Sequence, residues 1–385
     1  MTGSEVGEVQ TAAWAEAVVR TYADQQGPTD REEQVLARIE RARRRRPRLT
    51  DQRITLAHGA GGKASQTLVE AVFRDAFDNP LLAPLEDAAV FTAGEAALAF
   101  TTDSYVVTPL FFPGGDIGDL AVNGTVNDLA VAGAKPLHLS AGFILEEGFP
   151  VADLRRIVAS MRRAADVAGV SIVTGDTKVV PRGRADGCYI TTAGIGLRDP
   201  SRHLGAATVR PGDAVLVSGP VGDHGVTVML ARGELELAAP ELRSDTAPLS
   251  GLVAALFEAE VPVRAMRDAT RGGVATVLNE LARAAGVAVV VDQAQVPVRP
   301  VVRGASELLG IDPLYVACEG RMVVVVPGEA AESALAALRA HPLGAEAALI
   351  GRIAEDPSGL VLLKTAFGGT RIMDLLVGDP LPRIC

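Results

Sequence analysis

The chain ends in a thiol: Cys385 is its last residue, in the sequence LPRIC. A terminal cysteine combines two useful properties, because its thiolate can attack or carry an acyl group and a chain end can travel between sites. A frayed tail with an incidental thiol would look the same in isolation. The other candidate groups are acidic. Asp116, Asp119, Asn123, Asn127 and Asp128 lie in GGDIGDLAVNGTVNDLAVAGA. Asp119, Asn123 and Asn127 recur every fourth residue and so fall on one stripe of a helix otherwise rich in Leu, Val and Ala. Solvent, a hydrated ligand or a metal would each satisfy such a stripe. Asp87 in LEDAAV, Asp103 in TTDSYV and Asp176 in VTGDTKVV follow or interrupt apolar strands and precede turn-like residues, where strand-end functional groups often sit. Several carboxylates near phosphates imply Mg2+, a hard cation that takes oxygen ligands, keeps waters and bridges carboxylate to nucleotide.

A glycine-rich segment precedes these acids. His58-Gly59-Ala60-Gly61-Gly62-Lys63 leads into a helical pattern from about Ser65. Its amides can turn toward an anion and Lys63 can add positive charge, although a tight turn with a surface lysine reads equally well. It lacks the glycine spacing and the Lys-Ser or Lys-Thr pair of a Walker A loop. Later glycine turns, SGPVGDHGVTVML and MRDATRGGVATVLNELARAAG, also lead into periodic helices and can frame a phosphate cleft. Asp268, Thr270, Arg271, Gly272 and Gly273 resemble a helix-start loop. Side-chain capping there explains Thr270 better than Arg271. His224 in GDHG is an acid or base candidate, or a local hydrogen-bonding residue.

These groups need a frame. From Arg53 the pattern is α/β, with apolar strands such as Ser171 to Thr174 and Val287 to Val291 between helices of 3.6-residue period. Leu154, Ile157, Val158, Met161, Ala165 and Ala168 form one helical stripe. A break near Arg198 to Gly212, marked by Asp199-Pro200 and Pro211-Gly212-Asp213, separates two runs of similar content. The expected organisation is an extension over 1–50, domains over 51–200 and 201–357, and a final segment over 358–385. That last segment holds a strand at Leu360 to Lys364 and a mobile tail. From Gly368 to Cys385 an extended tail spans about 55 Å, so inward and outward positions of the thiol are both within reach. In the extension, Glu32 to Arg46 reads as a helix or disordered arm with a basic end at Arg41 and Arg43 to Arg46.

Composition narrows the class. The chain has 385 residues, 48% of them hydrophobic, enough for two domains with buried cores. No run approaches the ~20 apolar residues of a membrane span, and the first residues lack the charged-then-apolar layout of a signal peptide, so a cytoplasmic protein is expected. A net charge of -10 argues against nonspecific nucleic-acid binding. Cys188, Cys318 and Cys385 are too few and too scattered for a disulfide framework or a four-thiolate zinc site.

Together HGAGGK, TDSYVVTPLFFPGGDIGDLAVNGTVNDLAVAGA, GDTKVV, MRDATRGG, IDPLYVACEG and the terminal LPRIC resemble the aminoimidazole ribonucleotide synthetase-like superfamily, and within it the HypE family of nickel–iron hydrogenase maturation factors. The resemblance covers about Arg53 to Cys385. It implies a two-domain aminoimidazole ribonucleotide synthetase-like α/β fold with a mobile tail, homodimerisation through first-domain strands, and ATP with Mg2+ between the domains. Its site residues would be Lys63, Asp87, Asp103, Asn127, Asp128, Asp176 and Asp268 for the nucleotide, with Asp87, Asp103, Asp128 and Asp176 on the metal. It further implies ATP-dependent dehydration of an S-carboxamide on Cys385 to an S-cyanide (thiocyanate), with Lys178 and Glu319 positioning and deprotonating the carboxamide. The implied partners are HypF, the carbamoyltransferase that loads the sulfur, and a HypC–HypD complex that accepts cyanide. A selenophosphate synthetase-like enzyme fits less well, because no reactive cysteine precedes His58. A noncatalytic carrier is the remaining alternative. Three departures stand out: the basic N-terminal extension, Glu86 where the family usually has a second Asp beside Asp87, and Cys318 where Asn is expected.

Overall fold

The computed structural model describes residues 49–233, 237, 239–376 and 384–385. The expected N-terminal helix, Trp14 and the basic run, together with Pro380, Pro382 and Arg383 of the tail, lie outside the described residues.

Two sheets carry the structure. The first is built from β1 (Ala89–Ala93), β2 (Ala96–Tyr105), β5 (Ala134–Glu146), β6 (Ser171–Val180) and β7 (Cys188–Arg198), in the order β1-β2-β7-β5-β6. All neighbours are antiparallel except β5 and β6. A small hairpin, β3 (Phe111–Phe112) with β4 (Gly115–Asp116), stands before the main helix. The second sheet contains β8 (Ala214–Val217), β9 (Ala265–Asp268), β10 (Ala288–Asp292), β11 (Met322–Val326), β12 (Ala348–Ala354), β13 (Val361–Lys364) and β14 (Thr370–Ile372), ordered β14-β13-β10-β12-β8-β11-β9.

The helices are α1 (Lys63–Leu68), α2 (Ile117–Val131), α3 (Val151–Ala168), α4 (Asp223–Ala231), α5 (Ser250–Glu258), α6 (Gly273–Ala285), α7 (Pro300–Leu309) and α8 (Ala331–Ala340). α2 begins at a reciprocal cap. Asp116 accepts the Gly118 and Asp119 amides at 2.7 and 3.2 Å, and Asp119 accepts the Asp116 amide at 3.2 Å. It is buried along nearly its whole length because it packs between the first sheet and α3. In α3 the expected stripe faces inward through Ile157, Met161 and Ala165, while Val158 is exposed. Gly169, at φ 70°, ends that helix.

The second sheet is covered on both faces, which the alternation along its strands requires. Val215, Val217, Val323 and Val325 join Val274 and Leu278 of α6 on one side. Leu216, Val324 and Val326 join Leu252 and Leu256 of α5 and Leu338 of α8 on the other. Each such fully buried Val or Leu contributes about 1.5–3 kcal/mol of transfer free energy. The first sheet is covered on one face only: Phe100, Ile144 and Leu197 remain exposed, and β6 is an edge strand exposed along nearly all its length.

The final segment is more tightly held than its sequence suggests. β13 is parallel to β10 inside the second sheet, and a further strand, β14, folds back on it. Met373 is fully buried, and the Leu376 carbonyl accepts the Lys63 amide at 3.0 Å. At the far end Ile384 is buried in a core shared with Tyr105, Val107 and Val226.

Candidate active site

Residues from both sheets meet at a cavity of about 370 Å3 bounded by His58, Gly59, Asp87, Asp103, Asp128 and Asp268, with Arg267 and Arg271 opposite. Asp87 precedes β1, Asp103 lies near the end of β2, Asp128 sits on α2, and Asp268 ends β9. Burial pushes the Asp87, Asp128 and Asp268 carboxyls above the usual range. Their mutual repulsion, with that of Asp103, pushes Asp128 and Asp268 further. Thr101 donates to Asp128 at 2.7 Å. Such a cluster is costly without a cation, and its donors are all oxygen, so it suits Mg2+. Among the described residues no three acidic, imidazole or thiol groups form a ready-made metal cage. An ion that completes its shell with water and phosphate needs none.

The loop at Gly61 is pinned rather than free. Its φ is 75°, and a Cβ there would meet the Arg271 backbone and side chain at 2.8 Å. Arg271 donates to the Gly59 carbonyl at 3.1 Å and lies 3.9 Å from Asp103. Lys63, by contrast, is exposed and lines neither this cavity nor its neighbour. Arginines from the second sheet region supply the positive charge instead. The capping expectation for Asp268 and Thr270 is also replaced: Gly272, at φ 76°, caps α6 without any side-chain bond.

Arg267 has no counterpart in the sequence reading. Its guanidinium reaches Glu86 at 2.7 Å, Glu280 at 2.9 Å and Asp87 at 3.3 Å, and donates to the Leu85 carbonyl at 3.0 Å. Glu86 therefore serves as an anchor, also accepting the Ala206 amide at 3.3 Å. Its longer side chain ties the two sheets together.

Beyond Asp103 lies the terminal thiol. Cys385 is partly exposed, and its thiol feels the buried Glu319 carboxyl and the Arg271 guanidinium. Burial drives the Cys385 thiol well up, Glu319 adds to that, and Arg271 opposes it. Glu319 is itself pushed far above an ordinary carboxylate, by burial first and then by Asp268, Asp103 and Asp245. Its peptide is clamped from both sides. Asp245 accepts the Glu319 amide at 3.0 Å, and Asn127 donates to the Glu319 carbonyl at 3.3 Å.

Asn127 is thus spent on backbone. Its nitrogen also donates to the Ala247 carbonyl at 3.1 Å and its oxygen accepts the Leu249 amide at 2.7 Å, so both amide protons are committed away from a nucleotide. Two members of the polar stripe of α2 meet the crossing segment 244–249, Asn123 through Thr246 at 3.2 Å, while Asp119 turns back to the Asp116 amide. Asn127→Ala would leave the buried Leu249 amide and two carbonyls unpartnered, and is expected to cost about 1–3 kcal/mol. Denaturant unfolding measures it, and a loss below about 0.5 kcal/mol would contradict this role.

Asp176 and Lys178 stand apart. They form an exposed ion pair at 2.7 Å on β6 and line neither cavity. Within one chain, then, Asp87, Asp103, Asp128, Asp268, Glu319 and Cys385 converge, and Asp176, Lys178 and Lys63 do not.

The two sheets match the N-terminal domain of AIR synthase related proteins over residues 85–198 and the C-terminal domain over 210–364, which defines the class. Carbamoyl dehydratase HypE of Rhodobacter capsulatus is 56% identical over 88% of this chain and 99% of its own. HypE of Escherichia coli K12 is 51% identical over 86% and 99%. A HypE–HypF complex structure superposes with TM-score 0.76 at 48% identity, covering 80% of this chain and 99% of that one. A structure of HypE in complex with ATP gives 0.73 at 47%, covering 86% and 100%. The chain belongs to the HypE carbamoyl dehydratase family.

Proposed function

We propose that this chain is an ATP-dependent carbamoyl dehydratase that converts an S-carboxamide on Cys385 into an S-cyanide, supplying cyanide ligands for the iron centre of nickel–iron hydrogenase in the cytoplasm. The observation that carries the reading is the Cys385 thiol held in the field of a buried carboxyl, Glu319, and of Arg271, beside a carboxylate-lined cavity. Triphosphate fits that cavity. A second one, of about 860 Å3, shares Gly61, Ser65, Arg267 and Glu280 with it and is lined by Leu81, Leu82 and Leu85, so it suits the nucleoside. Mg2+ held by Asp87, Asp103, Asp128 and Asp268 would neutralise phosphate charge there.

The chemistry balances with ATP as the only co-reactant. The carboxamide oxygen attacks the γ-phosphorus, ADP leaves, and the nitrogen gives up a proton. The resulting C–O–phosphate bond then breaks as the nitrogen loses its second proton, leaving S–C≡N and inorganic phosphate. Glu319 is placed to take a proton from the nitrogen. Arg271 faces the same sulfur and Asp103 and offsets charge as phosphate forms. Loading belongs elsewhere. The inward position keeps the thiol protonated, whereas attack on a carbamoyl donor needs a thiolate, so HypF meets the tail outside. The HypC–HypD complex fits as cyanide acceptor by the same outward route.

Asp176 and Lys178 enter this scheme through a second copy. β6 offers an unpaired strand edge with Ile172, Val173 and Val179 exposed beside the uncovered sheet face. Homodimerisation there would cover this surface and bring Asp176 and Lys178 toward a partner's site.

The decisive test is intact-protein mass spectrometry with HypF, carbamoyl phosphate and ATP, which should show carbamoyl and then cyano groups on Cys385. A carbamoyl group that persists with ATP would leave only a carrier. The metal assignment has its own test. Asp87→Asn with Asp128→Asn should weaken Mg2+-dependent ATP binding at least about tenfold by calorimetry. Because the Asp87 and Asp128 carboxyls are raised in the fold, their ionised forms lower stability at neutral pH and the cost disappears in acid. The double variant should therefore melt no lower than the native protein, and native ATP affinity in it would overturn the assignment.

A further inference from the structure

His224 lies in the first turn of α4, is fully buried, and lines neither cavity. Its ring nonetheless points at the tail: Nε2 lies 2.7 Å from the Ile384 carbonyl oxygen, and Nδ1 lies 2.8 Å from Ser244 Oγ. A carbonyl only accepts, so Nε2 carries the proton and Nδ1 of the neutral ring accepts from the serine. Thr246 fixes that polarity, since its amide donates to Ser244 Oγ at 3.1 Å and leaves the serine proton for the imidazole. The edge-on ring of Phe112, 5.5 Å away at 84°, holds the imidazole plane. Burial pulls His224 down to about 4, in keeping with a neutral ring.

The other contacts of the chain end are simple. Ile384 is buried in one core with Val107, Phe112 and Val226, and the Val106 amide donates to the Cys385 main-chain carboxylate at 3.1 Å. Each time the tail leaves, His224 keeps a buried donor with no partner, a state disfavoured by about tenfold or more.

We infer that His224, oriented by Ser244, is the latch that holds the terminal dipeptide inward and thereby divides Cys385 between the Glu319 site and its outward partners. His224 is a positioning residue: it grips the peptide next to the reacting sulfur. The consequence for turnover rests on the dehydratase reading, whereas the latch itself does not.

The test is maleimide labelling of the full-length protein without nucleotide, followed by peptide mass mapping. The inward thiol is held protonated beside the Glu319 carboxyl, so fast labelling reports release, and buried Cys188 and Cys318 report general loosening. His224→Phe keeps an aromatic ring and removes the bond, so Cys385 should label about tenfold faster with Cys318 unchanged. His224→Gln restores a donor and an acceptor and should stay within about twofold of native. Ser244→Ala removes only the orienting hydroxyl and should accelerate labelling about threefold, and it decides the question if His224→Phe does not fold. Native rates in both His224→Phe and Ser244→Ala would overturn the latch. So would equal acceleration in His224→Phe and His224→Gln, or parallel exposure of Cys318. With HypF, carbamoyl phosphate and ATP, His224→Phe should load at least as fast as native and dehydrate more slowly. If native protein never dehydrates while the labelling pattern holds, the dehydratase reading fails and the latch stands.

Discussion

Cys385→Ala is expected to fold and bind ATP with native affinity while acquiring neither carbamoyl nor cyano group, a complete loss of product for a stability change within about 1 kcal/mol. The separation is possible because packing and chemistry at the chain end belong to different residues. Ile384 fills the apolar pocket and gives its carbonyl to His224. The Cys385 thiol faces Glu319, Arg271 and Asp103. Its backbone oxygen, held by Val106, survives the substitution. Appending one alanine after Cys385 is the sharper companion. That variant keeps the thiol but moves the terminal carboxylate away from the Val106 amide and adds bulk beside the reacting sulfur. Modification should fall while calorimetry with ATP is unchanged. A cyano adduct on any other residue of Cys385→Ala would end the terminal-carrier mechanism.

The site was legible in sequence where a residue's type alone restricts its use. Asp87, Asp103 and Asp128 converge, as acids at strand ends and on an apolar helix suggest, whereas Asp268, Glu319 and Cys385 join them as residues whose part in the site only the family resemblance implied. Side-chain direction was less legible. Lys63 follows two glycines, as a phosphate-binding lysine would, yet its amide is taken by the Leu376 carbonyl and its side chain is exposed. Asn127 lies on the expected stripe, but its partners come from a segment more than a hundred residues away. Periodicity shows that such a stripe needs partners without showing which. Arg267 escaped for a related reason, and so did the partners of His224, a residue the sequence did single out. Each depends on tertiary neighbours, Glu86 and Glu280 for one, Ser244 and Ile384 for the other, that no local spacing brings together. Two sheets in series were readable from the break after Arg198. The short β14 was not, since three residues give no period to count.

Glu319→Gln is expected to slow conversion of pre-loaded carboxamide to cyanide by about 10²–10⁴-fold while leaving loading by HypF intact. The amide keeps the shape and hydrogen-bonding reach of the carboxylate but cannot take up a proton at neutral pH. The contacts that fix the Glu319 backbone, to Asp245 and Asn127, do not involve its side chain, so the replacement should remain in register. A pH profile gives an independent check. Burial, with the negative charge of Asp268, Asp103 and Asp245, raises the Glu319 carboxyl well above the ordinary range. A general base acts only when ionised, so single-turnover dehydration should rise with pH through that raised value and fall away below it. The acid limb then lies at higher pH than an unperturbed glutamate would place it. In Glu319→Gln the residual rate should lose that limb, whereas loss of nucleotide through Asp128 or Asp268 would persist and is separated by measuring ATP affinity at each pH. Carboxamide trapped on Cys385 of the variant would be visible in the intact mass. Native cyanation rates in Glu319→Gln, or an unchanged acid limb with ATP saturating throughout, would remove Glu319 from the base role and leave proton removal to another group.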